Sequence, residues 1–220
     1  MINVHGRNEF QIGAAVPNSY FGNNAINKFY LEGMGRSGCA STGFSLGYKY
    51  LYSFIKNEDL YATISLHALY NDLNNELKDW YEDILEVYDY KYRIPKYFNI
   101  PLMLGLQYEK SLSISLKWYG EVGAGMNMLY ISKFGYDYGQ DNSHWQYFKP
   151  SFTVAYKVGT GVLVKDKYTI GISYLGLGTH KVKFVEEIKG DSLHNEIRRR
   201  TEYTKKLKVS DYSVSIGVRF

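Results

Sequence analysis

The chain has 220 residues, 45% of them hydrophobic and 22% charged, which suits one folded domain and excludes a disordered tail. Its 26 basic and 22 acidic residues leave a formal charge of +4, too small an excess to argue for nucleic acid. A single cysteine, Cys39, excludes an internal disulfide framework and a multi-cysteine metal site. The aromatic content of 17%, with 23 tyrosines beside 21 glycines and 4 prolines, favours many strands and tight turns over packed helices. No run approaches the ~18 apolar residues of a membrane helix, but a barrel that crosses with strands needs only alternating segments of ~10 residues.

In chain order, the start from Met1 to Arg7 carries no apolar signal-peptide core, so an exported protein would be present here as its mature chain. Phe10, Ile12, Ala14 and Val16 then alternate with polar or small residues. The same period of two recurs at 44–54, 60–70, 98–108 and 112–128, from starts near Phe152 and Tyr168, and at 212–220. That makes eight strands, each with one apolar face and one polar or glycine-rich face. Pro101 falls inside one of them, where it removes a ladder donor and predicts a local bulge or bend.

The connections alternate in length. Short polar turns fall at 56–59, 109–111 and 165–167, and long segments at about 18–40, 72–96, 132–149 and 180–207. Long-short alternation with an even strand count predicts an all-β fold, an eight-stranded antiparallel up-and-down transmembrane β-barrel over residues 8–220 of a single domain. Its termini share the short-turn, periplasmic rim, and four long loops point outward.

Period two alone leaves the phase open between a soluble barrel with an apolar interior and a membrane barrel with apolar side chains on lipid. Glycines gather on the polar face, where an eight-stranded lumen is narrow. Tyrosines and Trp118 sit near segment ends, as interfacial girdles require, and the chain ends on Phe220. These features favour lipid on the apolar side.

The run Tyr97-Phe98-Asn99-Ile100-Pro101-Leu102-Met103-Leu104-Gly105, followed by Tyr119-Gly120-Glu121-Val122-Gly123-Ala124-Gly125, resembles the Bacteroidetes outer-membrane β-barrel family, the porin-like or PorT-type group. The resemblance covers the whole chain in architecture, and its motifs are confined to about 97–130 and 212–220. It implies a Gram-negative outer-membrane location, and some members of the family serve protein secretion; the expectation for this chain is a non-enzymatic, membrane-embedded scaffold or accessory subunit of an envelope assembly. It also implies that Tyr212, Val214, Ile216, Val218 and Phe220 form the terminal strand read by the barrel-assembly machinery.

The polar set expected inside comprises Lys49, Gln107, Glu109, Lys117, Glu121, Lys157 and Arg219. Lys49, Gln107, Lys117, Glu121 and Arg219 are the candidate lumen charge network. An eight-stranded interior is just wide enough for side chains, so they read as a salt-bridged plug rather than an ion path. A narrow porin for small solutes is the competing expectation.

The segment 72–96 is acidic and aromatic, and 181–206 is basic; Trp80, Tyr81, Tyr88, Tyr90, Arg198, Arg199 and Arg200 are the candidate contacts. They suit an envelope protein partner or the anionic lipopolysaccharide of the outer leaflet, alongside the bulk membrane lipid. Five histidines, His5, His67, His144, His180 and His194, include one local cluster, Asp191-Ser192-Leu193-His194, with the residue types of a lipid-modifying hydrolase. Its spacing matches no known signature, and no catalytic residue, cofactor or metal is assigned. Loop carboxylates such as Asp72, Asp137 and Asp141 lack EF-hand spacing.

Overall fold

The computed structural model describes residues 6–23, 38–53, 59–87, 90–137, 142–192 and 195–220. Eight antiparallel strands close a ring: β1 (Gly6–Pro17), β2 (Gly43–Ser53), β3 (Leu60–Asn71), β5 (Tyr97–Ser113), β6 (Leu116–Ile131), β9 (Ser151–Val164), β10 (Tyr168–Ser192) and β11 (Asn195–Arg219). β11 pairs with both β10 and β1, so the sheet has no edge within the ring. Following register partners around from Arg219 through Glu9, Lys49, Ser65, Met103, Gly125 and Ala155 returns to β11 beside Ser210 and Val209. That stagger of roughly ten residues tilts the strands, as closure of a small barrel requires.

The apolar side of each strand faces out. Phe10, Ile12, Leu46, Ile64, Leu104, Val122, Val154, Ile170 and Ile216 are all at least half exposed. A continuous apolar wall of this size is incompatible with water and suits lipid. Aromatic rings bound it at both rims. Phe44, Tyr70, Phe98 and Tyr130 touch in sequence at 5.0, 5.2 and 6.0 Å, and Tyr156, Tyr174 and Tyr212 continue the row at 5.9 and 5.4 Å. At the short-turn rim Phe10 contacts Tyr48 at 5.1 Å and Phe220 at 5.7 Å. On β5 the two rows are carried by Phe98 and Tyr108. Ten residues at ~3.4 Å rise and a tilt near 40° span about 25 Å, the height of a transmembrane apolar band.

Beyond the long-connection rim the chain is more ordered than the sequence suggests. The segment expected as a loop at 180–207 is strand: β10 and β11 are 25 residues each and stay paired to Ser192 and Asn195. The segment 132–149 holds β7 (Phe134–Asp137) and β8 (Ser143–Phe148), and with β4 (Lys91–Arg93) these extend the sheet sideways in the order β10-β8-β7-β4. The acidic segment at 72–96 contains a helix, α1 (Asn75–Val87), a departure from an all-strand chain. Asn74 caps it by accepting a bond from the Leu77 amide at 3.0 Å. Leu77 and Leu85 are buried and Tyr81 is half-buried, one apolar stripe at four-residue spacing.

Pro101 does not bulge the sheet. Leu66 pairs with Leu102 and Leu69 with Asn99 in unbroken register, and only the pairings of His67 with Pro101 and Ala68 with Ile100 drop out between them. The register shifts lie elsewhere, between Ser111 and Ser113 and between Gly176 and Gly178. At the second, Gly178 has φ +87, and a Cβ there would meet Thr153 and the Val154 carbonyl at 2.5 Å. The extra residue flips the parity of β10 above it. Even-numbered residues face lipid below, and odd-numbered ones face outward beyond.

Candidate functional site

The lumen is filled in layers, each set by the inward parity of the strands. Nearest the short-turn rim, Lys49, Gln107, Glu121 and Arg219 lie buried with Glu9, Glu109 and Lys157. Lys49 Nζ donates to Gln107 Oε1 at 2.8 Å and to Glu121 Oε2 at 3.2 Å, and stands 3.3 Å from Glu9 Oε1. Lys157 Nζ meets the other Glu121 oxygen at 2.6 Å. Arg219 donates to Glu9 Oε2 from Nε and Nη2, at 3.1 and 2.9 Å, and from Nη1 to Glu109 Oε1 at 2.7 Å. Gln107 and Gln11 close the net onto Glu109 and Glu9. Three carboxylates thus face three cations, so the layer carries no net charge to select ions.

Level with it, Tyr119 lies against the Lys49 ammonium, 5.3 Å from ring centroid to Nζ. Its hydroxyl occupies the space that side chains at Gly161 and Gly171 would fill. His67 stands over Gly47, where a Cβ would come within 2.7 Å of Nδ1. The lumen glycines are therefore the complement of its bulky polar residues. Higher still, Asn127 Nδ2 donates to Asn99 Oδ1 at 2.8 Å, and His180 Nε2 lies 3.1 Å from the Leu177 carbonyl. Asp211 is fully buried at this end, and neither of its carboxylate oxygens has a hydrogen-bond partner among the described residues.

An apolar cluster closes the long-connection end. Leu69, Tyr97, Met103, Leu129, Leu175 and Leu207 from the strands pack with Phe21, Cys39, Ala40, Leu73 and Leu77 from the connections. Cys39 is thus a buried packing residue. The lumen is stopped at two levels by unlike chemistry, ionic below and apolar above.

Lys117 does not join the ion net. It sits at the short-turn rim, a quarter exposed, with Nζ 2.6 Å from Asp166 in the turn that Lys165 and Asp166 form at φ 52 and 55. β6 carries it two periods below Glu121, past the end of the filled section. Glu9 and Gln11 were absent from the network expected by sequence, although they share one face of β1. Continuing the β1 alternation one step toward the terminus reaches Glu9, but its link to Arg219 requires the ring to close.

The candidate contacts divide. Trp80 is 38% exposed, whereas Tyr81 packs against Phe134 at 5.1 Å and Tyr90 stacks on Tyr136 at 6.0 Å, both holding the outer sheet together. Arg199 and Arg200 are exposed on β11. Arg198 is in β11 opposite Lys189, its side chain outside the described residues, and Tyr88 lies outside them altogether. Tyr212, Val214, Ile216, Val218 and Phe220 form an outward row, each 40–64% exposed.

His144 Nε2 donates to Glu186 Oε1 at 2.9 Å and Gln146 Nε2 reaches the same oxygen at 3.3 Å, tying β8 to β10. Burial pushes the Glu186 carboxyl up, but the bonds from His144 and Gln146 outweigh it and hold the group below its ordinary value. Leu193 and His194 of the local cluster, and His5 and Asp141, lie outside the described residues. Among the described residues no group of three His, Cys, Asp or Glu could hold a metal.

No protein-family model and no curated protein matches the chain. Among solved structures it is similar to neisserial surface protein A at 15% identity and a TM-score of 0.52, over 99% of this chain and 97% of that one. The fold is that of an eight-stranded outer-membrane β-barrel. OprG of Pseudomonas aeruginosa is similar at 12% identity and a TM-score of 0.46, over 98% of this chain and 95% of that one. Ail, the attachment invasion locus protein of Yersinia pestis, is similar at 18% identity and 0.46, over 98% and 99%.

Proposed function

We propose that this barrel is a non-enzymatic outer-membrane scaffold that presents a rigid sheet beyond the bilayer to another envelope component. The observation that carries this reading is the length of β10 and β11. Twenty-five residues at ~3.4 Å and a 40° tilt reach roughly 65 Å, more than twice the ~25 Å apolar band. The sheet order β10-β8-β7-β4 and helix α1 stiffen what would otherwise be loops. The doubly closed lumen supports it from the other side, since a side-chain-filled interior is no route for solutes.

The segments resembling the Bacteroidetes barrels support a subunit role in an envelope assembly, with protein secretion as the concrete version. The outward row from Tyr212 to Phe220 is proposed as the segment read by the assembly machinery. Mild-detergent extraction from the native outer membrane tests the scaffold reading. A particle well above 25.4 kDa that carries the same second protein each time is expected. A bare monomer, or a clean step conductance in planar bilayers, would return the narrow-porin alternative to first place.

A further inference from the structure

Four lysines cluster on the outward face just beyond the upper aromatic row. Lys206 and Lys208 of β11 share the parity of Tyr212, Val214 and Ile216, so they lie on the lipid-facing side. The register shift at Gly176/Gly178 brings Lys181 and Lys183 of β10 to the same side. Without that shift these two would point into the sheet's other face, and Val182 and Phe184, now buried, would point out. Lys181 and Lys206 are direct cross-strand partners, with Lys183 and Lys208 on the diagonals.

All four side chains are exposed, and among the described residues none has a carboxylate within ion-pair distance. Two acids of the same face pair with other lysines: Glu202 with Lys149 at 3.8 Å and Glu187 with Lys189 at 3.7 Å. Like charges directly opposite on a sheet repel, so an anion between them would relieve the repulsion. Lys208 is four residues past Tyr212, about 10 Å above the girdle along the tilted strand, at the depth of lipid headgroups.

We infer that Lys181, Lys183, Lys206 and Lys208 form a binding strip for the phosphate groups of the outer-leaflet glycolipid. This rests on the reading of the long-connection rim as the cell-exterior side, and it needs no protein partner. The strip would pin the base of the protruding hairpin to the membrane surface and hold it at a set angle.

The full chain and the variant K181Q/K183Q/K206Q/K208Q are placed in phosphatidylcholine nanodiscs containing either diphosphoryl lipid A or its dephosphorylated form. Lipid retained on re-extraction is read by native mass spectrometry. The wild type is expected to keep diphosphoryl lipid A about tenfold better than the variant, and to show no such preference for the dephosphorylated form. A quadruple Lys→Arg variant should behave as wild type. Equal retention by wild type and the Gln variant overturns the inference. Full displacement by millimolar sodium phosphate also overturns it, by making the strip a free-anion site. If the Gln variant does not fold, the wild type decides alone: equal retention of the two lipid A forms sinks the idea.

Discussion

Arg219 and Glu9 face each other across the seam where the last strand meets the first, with Nη2 and Nε 2.9 and 3.1 Å from one carboxylate oxygen. They are direct register partners, flanked by reciprocal backbone bonds between Asn8 and Phe220 at 2.9 Å. Arg219→Met would leave Glu9 short of one of its two cations and Glu109 without its own. A loss of about 3–5 kcal/mol is expected, because an uncompensated buried carboxylate is costly. It would be read as a fall in the temperature at which the folded, fast-migrating band disappears on unheated gels. An unchanged midpoint would mean that the seam is held by backbone bonds alone.

Tyr119 fits only because Gly161 and Gly171 leave its hydroxyl room. Gly171→Val should therefore destabilise by about 1–3 kcal/mol through overpacking. Combination with Tyr119→Ala should recover part of that loss, since the clash partner is then gone. Purely additive losses would place the strain elsewhere.

The two stops in the lumen differ in how they can be opened. Shortening the ionic layer with K49S/E121S/K157S removes two positive charges and the carboxylate they share, and leaves the apolar layer above intact. This triple variant is expected to remain electrically silent. Step conductance should appear only when the upper cluster is also thinned, for example by adding Leu129→Ser and Leu207→Ser. Conductance in the triple variant alone would show that the apolar cluster does not seal.

Asp211 lies fully buried at the end of the lumen where the apolar cluster sits, with both oxygens unbonded among the described residues. A buried polar group without a partner costs roughly 1–3 kcal/mol, so Asp211→Val should raise the unfolding midpoint. A lowered midpoint would reveal that the carboxylate is needed there.

The outer sheet should loosen in acid. Glu186 titrates below its ordinary value in the folded state, so the stability it contributes is present above the ordinary carboxylate range and is lost as pH falls through the lowered value. Amide exchange in β8 and the outer half of β10 is expected to accelerate as pH drops below about 4, beyond the intrinsic trend, while β5 and β6 stay protected. Glu186→Gln should flatten this response. A response that survives in the variant would assign it to another carboxylate.

The legible part of this chain was whatever repeats locally. Alternation at period two is written in neighbouring residues, so the eight strands and the polar identity of Lys49, Glu121 and Arg219 could be read in order, while the glycines of the polar face and the aromatic segment ends pointed to the lipid-facing side. The apolar spacing of Leu77, Tyr81 and Leu85 behind Asn74 also announces α1, but five acidic residues from Glu76 to Glu86 masked it as a loop. Sequence alone determined that each strand has one apolar surface and one polar surface, because that depends only on the pleat. Tertiary structure decided which polar groups meet. Glu9 finds Arg219 from 210 positions away, and Lys117 misses the net because β6 ends it at the rim. It also decided that 180–207 continues as strand past a one-residue shift at Gly178. Those outcomes depend on ring closure, stagger and a partner strand, and none of the three is a property of any local stretch of residues.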